Sequence, residues 1–210
     1  MLAGTVFEED QEFLIKICGV RQLDEALCAI DGGSNALGFN FYPGSPRYID
    51  PAAAQEIIVR LPQDILTVAV MVVEESSVKE SIGALRERVP SLGSFQLHGL
   101  RCKVKMSANE ERIFIAAAPS DASCFPDHEV IIDTSWGGGK IEDWEQVGQI
   151  KRPFILSGGL TSENVAEAIT LLHPAGVDVC SGVESAPGIK DREKVKRFLK
   201  NVRCVLEGSG

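Results

Sequence analysis

Short apolar runs recur at regular spacing along this chain, and segments with the periodicity of helices separate them. Several runs are almost continuously apolar, which is typical of strands covered on both faces. Such strands occur in parallel sheets, where a helix usually carries the chain back between one strand and the next. We predict eight strands, at Leu14–Cys18, Ala36–Tyr42, Leu66–Val73, Ser94–His98, Ile113–Ala118, Glu129–Thr134, Pro153–Ser157 and Val177–Ser181.

The segments between the runs place apolar residues at positions i, i+3, i+4 and i+7, the spacing of one helix face. Asp50 followed by Pro51 is a helix start signal, and Ser77 with Glu80 fits a capping box. Two connections are weak, because one is short and the other contains two prolines. The strongest amphipathic patterns predict helices over Leu23–Ile30, Ala54–Leu61, Val165–Leu172 and Val195–Val202, whereas residues 101–112 have room for a short helix only and residues 119–128 resemble a loop.

Eight strands that alternate with six or seven helices predict a single (β/α)8 TIM barrel with short or irregular fourth and fifth crossover helices. A doubly wound open sheet is the alternative, but it usually has fewer strands, and its GxGxxG fingerprint is missing after the first strand. We assign residues 13–207 to the barrel, residues 1–12 to an N-terminal extension and residues 208–210 to a flexible tail.

The composition restricts the class of protein and its partners. The 210 residues carry a net charge of −9, which disfavours a nucleic-acid partner. The six cysteines form no CxxC pair and the three histidines are far apart, so no metal site is expected. No stretch resembles a signal peptide or a membrane helix. We therefore expect a reduced, cytoplasmic protein without a membrane partner.

The active site of such a barrel lies at the carboxyl ends of its strands. Strands seven and eight end in glycines, and glycine-rich loops at these two strands commonly bind phosphate through backbone amides. The alternative is that these glycines only make tight turns. The candidate residues at the strand ends are Cys18, Arg47, His98 (with Gln96 on the same strand), Asp133, Gly158, Gly159, Ser181 and Gly182.

Four of these candidates allow two interpretations each. Cys18 is either a small buried residue or a reactive thiol. Asp133 either caps a turn or acts as a general acid, since an apolar setting raises a carboxyl pKa. Arg47 is either a solvated loop residue or a bidentate ligand for a carboxylate. His98 lies either in the core or in a pocket wall.

Seven motifs, in order and in register, resemble the phosphoribosylanthranilate isomerase family of tryptophan biosynthesis. One such motif would be weak, but seven together are highly specific. The resemblance extends from residue 14 to the end of the chain. The motifs are KICG at 16–19, GFNFYPGSPRYI at 38–49, QLHG at 96–99, IIDT at 131–134, LSGGL at 156–160, ENV at 163–165 and VDVCSGVE at 177–184.

This resemblance implies a (β/α)8 barrel that performs an Amadori rearrangement on a phosphosugar, as a monomer or homodimer, with neither metal nor organic cofactor. It implies Asp133 as the general acid, Cys18 as the general base and Arg47 as the ligand of the anthranilate carboxylate. Gly19 would clear space for the substrate beside the thiol. The remaining roles it implies are pocket walls at Gln96 and His98, and phosphate binding by Gly158, Gly159, Ser181 and Gly182.

The chain departs from the family pattern at five places. Arg21 replaces a threonine, Leu100 an acidic residue and Cys180 a serine, while Trp136 and Glu142 alter the glycine-rich loop after strand six. These changes keep open a catalytically silent phosphate-binding barrel. A dual-substrate aldose–ketose isomerase is the other alternative, although the resemblance implies an aspartate at position 18 in such enzymes. Since strands one and eight are neighbours in a closed barrel, we expect Cys18 and Cys180 to lie close together.

Overall fold

The structure, a computed structural model, describes residues 12–101, 112–134 and 144–208. Four sequence-based interpretations lie wholly or partly outside these residues. They are the N-terminal extension up to residue 11, most of the fourth crossover, the glycine-rich loop after strand six with Trp136 and Glu142, and the C-terminal tail at 209–210. Gly208, which we assigned to that tail, is the last residue of a helix.

Eight parallel strands form a closed barrel in which each strand pairs with the next and the eighth pairs with the first. This confirms the predicted architecture. All eight runs form strands, with ends that shift by at most two residues. The strands are β1 (Leu14–Cys18), β2 (Ala36–Asn40), β3 (Leu66–Val72), β4 (Ser94–His98), β5 (Arg112–Ala117), β6 (Glu129–Asp133), β7 (Ile155–Ser157) and β8 (Gly176–Val179).

Helices connect most of the strands on the outside of the barrel. A short antiparallel hairpin of β9 (Glu184–Ala186) and β10 (Ile189–Lys190) follows β8, and the sequence pattern did not predict it. Short 3₁₀ helices occur at Glu75–Ser77, Pro119–Cys124 and Ser181–Val183. The α-helices are α1 (Leu23–Asp31), α2 (Pro51–Ile58), α3 (Val78–Arg88), α4 (Trp144–Val147), α5 (Val165–Leu172) and α6 (Arg192–Gly208).

One local prediction is wrong. Ser77 makes no capping bond to α3, because its hydroxyl donates instead to the Glu74 carbonyl of the preceding 3₁₀ turn, at 3.2 Å. The fifth crossover is irregular, as predicted, and its first residues, Pro119–Cys124, form a 3₁₀ helix where an α-helix usually connects the strands.

Among the cysteines that the structure describes, Cys124 departs from the expected reduced state. Cys124 is disulfide-bonded, whereas Cys18, Cys28, Cys180 and Cys204 are free thiols.

Side chains alternate between two sides of each strand, so the barrel has an outer and an inner apolar layer. The outer layer lies between the sheet and the helices, with residues such as Ile17, Phe39 and Leu97 at 0–1% exposure. The inner layer closes the amino-terminal half of the barrel interior and consists of Leu14, Ala36, Val68, Phe114, Ile131 and Ile155. The interior is therefore packed below the strand ends, where the site must lie.

No helix within the described residues combines the length and the apolar character needed to cross a bilayer.

The predicted helix start at Asp50 is confirmed, since its carboxylate accepts a hydrogen bond from the Ala52 amide at 2.8 Å. Asp50→Ala removes this cap and is expected to lower the free energy of unfolding by about 0.5–2 kcal/mol in urea titrations. Asp50→Asn is the matched control. It keeps a side-chain oxygen and loses only the exposed, 3.8 Å ion pair with Arg88, so its stability should stay within about 0.5 kcal/mol of the parent. Equal losses in the two variants would contradict the capping role.

Candidate active site

The inner face of the barrel changes from apolar to polar towards the carboxyl ends of the strands. Two residues after the apolar layer, β1 carries Lys16 and β7 carries Ser157, while β4 contributes Gln96 and β8 contributes Asp178. Lys16, Gln96 and Asp178 are 0%, 3% and 4% exposed. A polar layer therefore lies across the barrel directly below its mouth.

Lys16 holds this layer together. Its ammonium donates to Asp178 Oδ1 at 2.8 Å and to Gln96 Oε1 at 2.9 Å. Because β1 and β4 are not neighbours in the sheet, the bond to Gln96 crosses the barrel interior. Ser157 adds a hydroxyl bond to Asp178 Oδ2 at 3.2 Å. One buried cation thus joins β1 to its neighbour β8 and, across the barrel interior, to β4.

The Lys16 nitrogen and the Cys18 sulfur lie close together beside Gly38, and the two groups interact electrostatically. Burial by itself would lower the pKa of Lys16, but the Asp178 carboxylate and the Cys18 sulfur raise it above its usual value. Lys16 therefore remains a cation and supplies a fixed positive charge beside the thiol.

Cys18 ends β1 at the barrel mouth and is 7% exposed. A hydrogen bond from Cys180 and the charge of Lys16 lower its pKa to about 7, although burial opposes the shift. Gly38, its register partner on β2, makes room for this arrangement. A Cβ at position 38 would lie 2.9 Å from the Cys18 sulfur and 3.1 Å from the Lys16 nitrogen, which is too close for real side-chain contacts.

Gln96 and His98 extend the layer towards the mouth. Since Gln96 Oε1 accepts from Lys16, its amide nitrogen donates to His98 Nε2 at 2.9 Å. This leaves the His98 proton on Nδ1. Burial lowers the pKa of His98, with Asp133 acting in the opposite direction, so the ring is neutral. Asp133 ends β6 beside Ser157 of β7 and is half-buried.

Arg47 belongs to a buried charge cluster, so its interpretation as a solvated loop residue is wrong. Its Nε and Nη2 donate to the two oxygens of Glu184, at 3.0 and 2.7 Å. Lys190 reaches the same carboxylate at 3.0 Å and the Cys180 carbonyl at 3.1 Å. Glu184 thereby ties the loop after β2 to the hairpin after β8.

Gly19 packs against this cluster. A Cβ at position 19 would lie 3.2 Å from the Arg47 side chain and 3.3 Å from the Cys180 sulfur. The space that Gly19 leaves is therefore filled by protein side chains, which differs from the role expected beside a substrate. The exposed Arg21 guanidinium donates to the Pro46 carbonyl oxygen at 3.4 Å. Arg21 therefore contacts the loop after β2.

The loops after β7 and β8 lie backbone against backbone. Gly158 and Gly159 have φ angles of +86° and +65°, which favour glycine. A Cβ on Gly182 would lie 1.8 Å from the Leu160 carbonyl oxygen, so no larger residue fits. Among the described residues, the amides of Gly158, Gly159, Ser181 and Gly182 donate to no backbone carbonyl outside the regular elements. Together they offer donors to an anion.

Sequence reasoning missed the roles of Lys16, Asp178, Glu184 and Lys190. A signal existed for the first two, because each is a lone charged residue within an otherwise apolar strand. No comparable signal marked Lys190, which lies in the unpredicted hairpin. Within the described ranges, no group of three or more His, Cys, Asp or Glu side chains is arranged to hold a metal ion.

The mouth of this parallel barrel carries a thiol of lowered pKa and a carboxylate, beside two glycine-containing loops with available amides. These features are those of an enzyme that performs acid–base chemistry on an anionic small molecule. The family model of N-(5'-phosphoribosyl)anthranilate (PRA) isomerase matches residues 15–201. The chain belongs to this family, which confirms the resemblance drawn from the seven motifs.

Named relatives and solved structures agree with this membership. The N-(5'-phosphoribosyl)anthranilate isomerase of Desulforudis audaxviator is 38% identical over 92% of this chain and 99% of its own length. The crystal structure of the Thermotoga maritima phosphoribosyl anthranilate isomerase has a TM-score of 0.79 at 34% identity, covering 91% of this chain and 99% of that one. A phosphoribosyl anthranilate isomerase solved with reduced 1-(o-carboxyphenylamino)-1-deoxyribulose 5-phosphate has a TM-score of 0.76 at 34% identity, with the same coverage.

The buried pair of Lys16 and Asp178 is expected to be strongly coupled. Lys16→Met and Asp178→Asn each leave one buried polar partner uncompensated, and each should cost about 3–5 kcal/mol of unfolding free energy in urea titrations. In the double variant neither charge remains, so its loss should be clearly smaller than the sum of the single losses. Additive losses would show that the two side chains do not stabilise each other.

Proposed function

We propose that this chain catalyses the Amadori rearrangement of N-(5'-phosphoribosyl)anthranilate to 1-(o-carboxyphenylamino)-1-deoxyribulose 5-phosphate, the third step of tryptophan biosynthesis from chorismate. Family membership over residues 15–201 supports the reaction. The observation that carries the proposal is the Cys18 thiol, whose lowered pKa lets it accept a proton near neutral pH.

In this proposal Asp133 is the general acid. It gives its proton to the ribose ring oxygen, the C1–O bond breaks, and the electron pair of the anthranilate nitrogen forms an iminium at C1. Cys18 thiolate then removes the C2 proton, and the C2–H electron pair forms the C1–C2 double bond of an enolamine. Protonation at C1 and loss of the O2 proton give the ketone, so the sugar isomerises without an external oxidant or reductant.

Lys16 supports the base by its charge, which lies beside the Cys18 sulfur. Its positive charge stabilises the thiolate before proton transfer. Gln96 and His98 are proposed to line the pocket. Gln96 is held by Lys16, and His98 is held by Gln96. These bonds support rigid positions for both side chains beneath the substrate.

Arg47 is proposed to hold the anthranilate carboxylate. Glu184 occupies the edge of the guanidinium formed by Nε and Nη2. The edge formed by Nη1 and the second Nη2 proton offers two parallel donors, which matches a carboxylate. The ion pair with Glu184 would then orient Arg47, which is 22% exposed.

The substrate phosphate is proposed to bind the amides around Gly158, Gly159, Ser181 and Gly182. Their lack of backbone partners outside the regular elements, within the residues that are described, supports this role.

The assembly is proposed to be a monomer or a homodimer in the cytoplasm. One solved relative consists of monomers generated from the dimeric Thermotoga maritima enzyme. Light scattering on the purified chain distinguishes the two states.

The catalytic roles predict large and specific losses of activity. Cys18→Ser and Asp133→Asn should each reduce kcat by about 10²–10⁴-fold, measured as the loss of fluorescence of freshly prepared phosphoribosylanthranilate. Cys204→Ser and Asp64→Asn are matched controls on exposed positions and should retain full activity. A near-normal rate in either catalytic variant would overturn the role of that residue. The absence of turnover in the parent chain would favour a silent phosphate-binding barrel.

The pH dependence of the thiol follows from the direction of the Cys18 shift. The thiolate fraction of Cys18 should fall about tenfold per pH unit below a pKa of about 7 and level off above it. An unperturbed thiol would give this midpoint near pH 8.5, about the model-peptide value. The rate of Cys18 alkylation by iodoacetamide between about pH 5.5 and about pH 9, followed by mass spectrometry with stability checked at each pH, measures this midpoint without involving the proton of Asp133.

A further inference from the structure

The hairpin of β9 and β10 carries a buried lysine that the proposed chemistry does not use. The Lys190 side chain is 2% exposed. Its ammonium donates to Glu184 Oε1 at 3.0 Å, to the Cys180 carbonyl oxygen at 3.1 Å and to the Cys180 sulfur at 3.7 Å. A buried ammonium is costly unless an opposite charge is paired with it. Glu184 supplies that charge and shares it with a second cation, Arg47.

Glu184 lies between these two cations. Its two oxygens accept from Arg47 Nε and Nη2 at 3.0 and 2.7 Å, and Oε1 also accepts from Lys190. The Glu184 side chain is 4% exposed, so solvent screens the three charges only weakly. Two positive charges and one negative charge leave this cluster with a net charge of +1. Without the charge of Lys190, the pair of Arg47 and Glu184 would be neutral.

The surplus positive charge lies where the substrate carboxylate is proposed to bind. That carboxylate would meet the edge of the Arg47 guanidinium that faces away from Glu184, since Glu184 occupies the edge of Nε and Nη2. Two carboxylates on one guanidinium repel each other unless a further cation offsets one of them. Lys190 contacts Glu184 at 3.0 Å and is placed to offset its charge.

The hairpin is held in place by contacts that do not involve the Lys190 side chain. The Lys190 amide donates to Glu25 Oε1, in the first turn of α1, at 3.2 Å. Gly188 has a φ angle of +80°, and a Cβ there would overlap the Pro46 carbonyl oxygen. The hairpin therefore packs against the residue before Arg47 through its backbone. A substitution of the Lys190 side chain can thus change the charge of the cluster without releasing the hairpin.

We propose that Lys190 is a positioning residue that sets the charge specificity of the site: it offsets Glu184, so that Arg47 favours a ligand with a carboxylate on its aryl group. This role rests on the proposed function, in which Arg47 holds the anthranilate carboxylate. Lys190 touches neither the substrate nor the reacting atoms, and it takes part in no bond change. It acts through Glu184 on the affinity for one substituent of the ligand.

The test measures the binding of two ligands by isothermal titration calorimetry. One ligand is reduced 1-(o-carboxyphenylamino)-1-deoxyribulose 5-phosphate, and the other is the same compound without the carboxylate. Lys190→Gln keeps a hydrogen-bond donor without the charge, and Lys190→Met keeps only the aliphatic stem. Each should raise the Kd of the carboxylate ligand about tenfold and leave the Kd of the other within about twofold of the parent value.

Two further variants make the test specific to charge. Lys196→Gln removes an exposed lysine of α6 and is the matched control, which should bind both ligands as the parent does. The double variant Lys190→Met, Glu184→Gln removes one charge of each sign and restores the net charge of +1. It should therefore bind the carboxylate ligand clearly more tightly than Lys190→Met alone. Circular dichroism establishes that each variant is folded.

Several outcomes would overturn the role of Lys190. Equal weakening of both ligands would show a general distortion of the barrel mouth. Parental affinities in Lys190→Gln would show that the charge has no effect, and a double variant no tighter than Lys190→Met would show the same. A parent chain that binds both ligands equally would overturn the roles of both Arg47 and Lys190.

The turnover of phosphoribosylanthranilate by the parent chain, measured separately, distinguishes this proposal from the proposed function. If the expected binding pattern is found without turnover, the carboxylate specificity is correct and the proposed reaction is the part that fails. If the parent turns over the substrate while the Lys190 variants bind both ligands as the parent does, only the role of Lys190 fails.

Discussion

The buried ion pair between Lys16 and Asp178 is the interaction on which the barrel mouth depends. A fully buried ammonium is costly unless it is paired, and here it donates to Asp178 and Gln96 and lies beside the Cys18 sulfur. Asp178 is on β8, the sheet neighbour of β1, whereas Gln96 is on β4 across the interior, so these bonds fix the position of Lys16 relative to both strands. The charge that stabilises the barrel is also the charge that keeps Cys18 acidic.

Close backbone packing has a functional consequence at two glycines. Gly38 allows the Cys18 sulfur and the Lys16 nitrogen to approach β2, and Gly182 allows the loop after β8 to touch the Leu160 carbonyl. The first contact sets the environment of the proposed base. The second brings two sets of amides to one side of the mouth, where they can bind one anion together.

A second charge cluster, of Arg47, Glu184 and Lys190, lies beside Cys180. Glu184 receives bonds from both cations. Although burial opposes it, these bonds hold the pKa of Glu184 below its usual range, so the carboxylate stays charged and keeps Arg47 in place. The cluster therefore links the proposed carboxylate ligand to the surroundings of Cys180.

The sequence by itself determined the barrel, because eight apolar runs alternating with helical patterns allow few other ways to bury both strand faces. It also located Cys18, Asp133 and the two glycine loops, since the fold rule places strand ends at the mouth. The tertiary structure alone decided what surrounds them. Register set Lys16 beside Asp178, and the hairpin after β8 brought Glu184 to Arg47. Such contacts join residues up to 162 positions apart, and local periodicity carries no information about pairs at that separation.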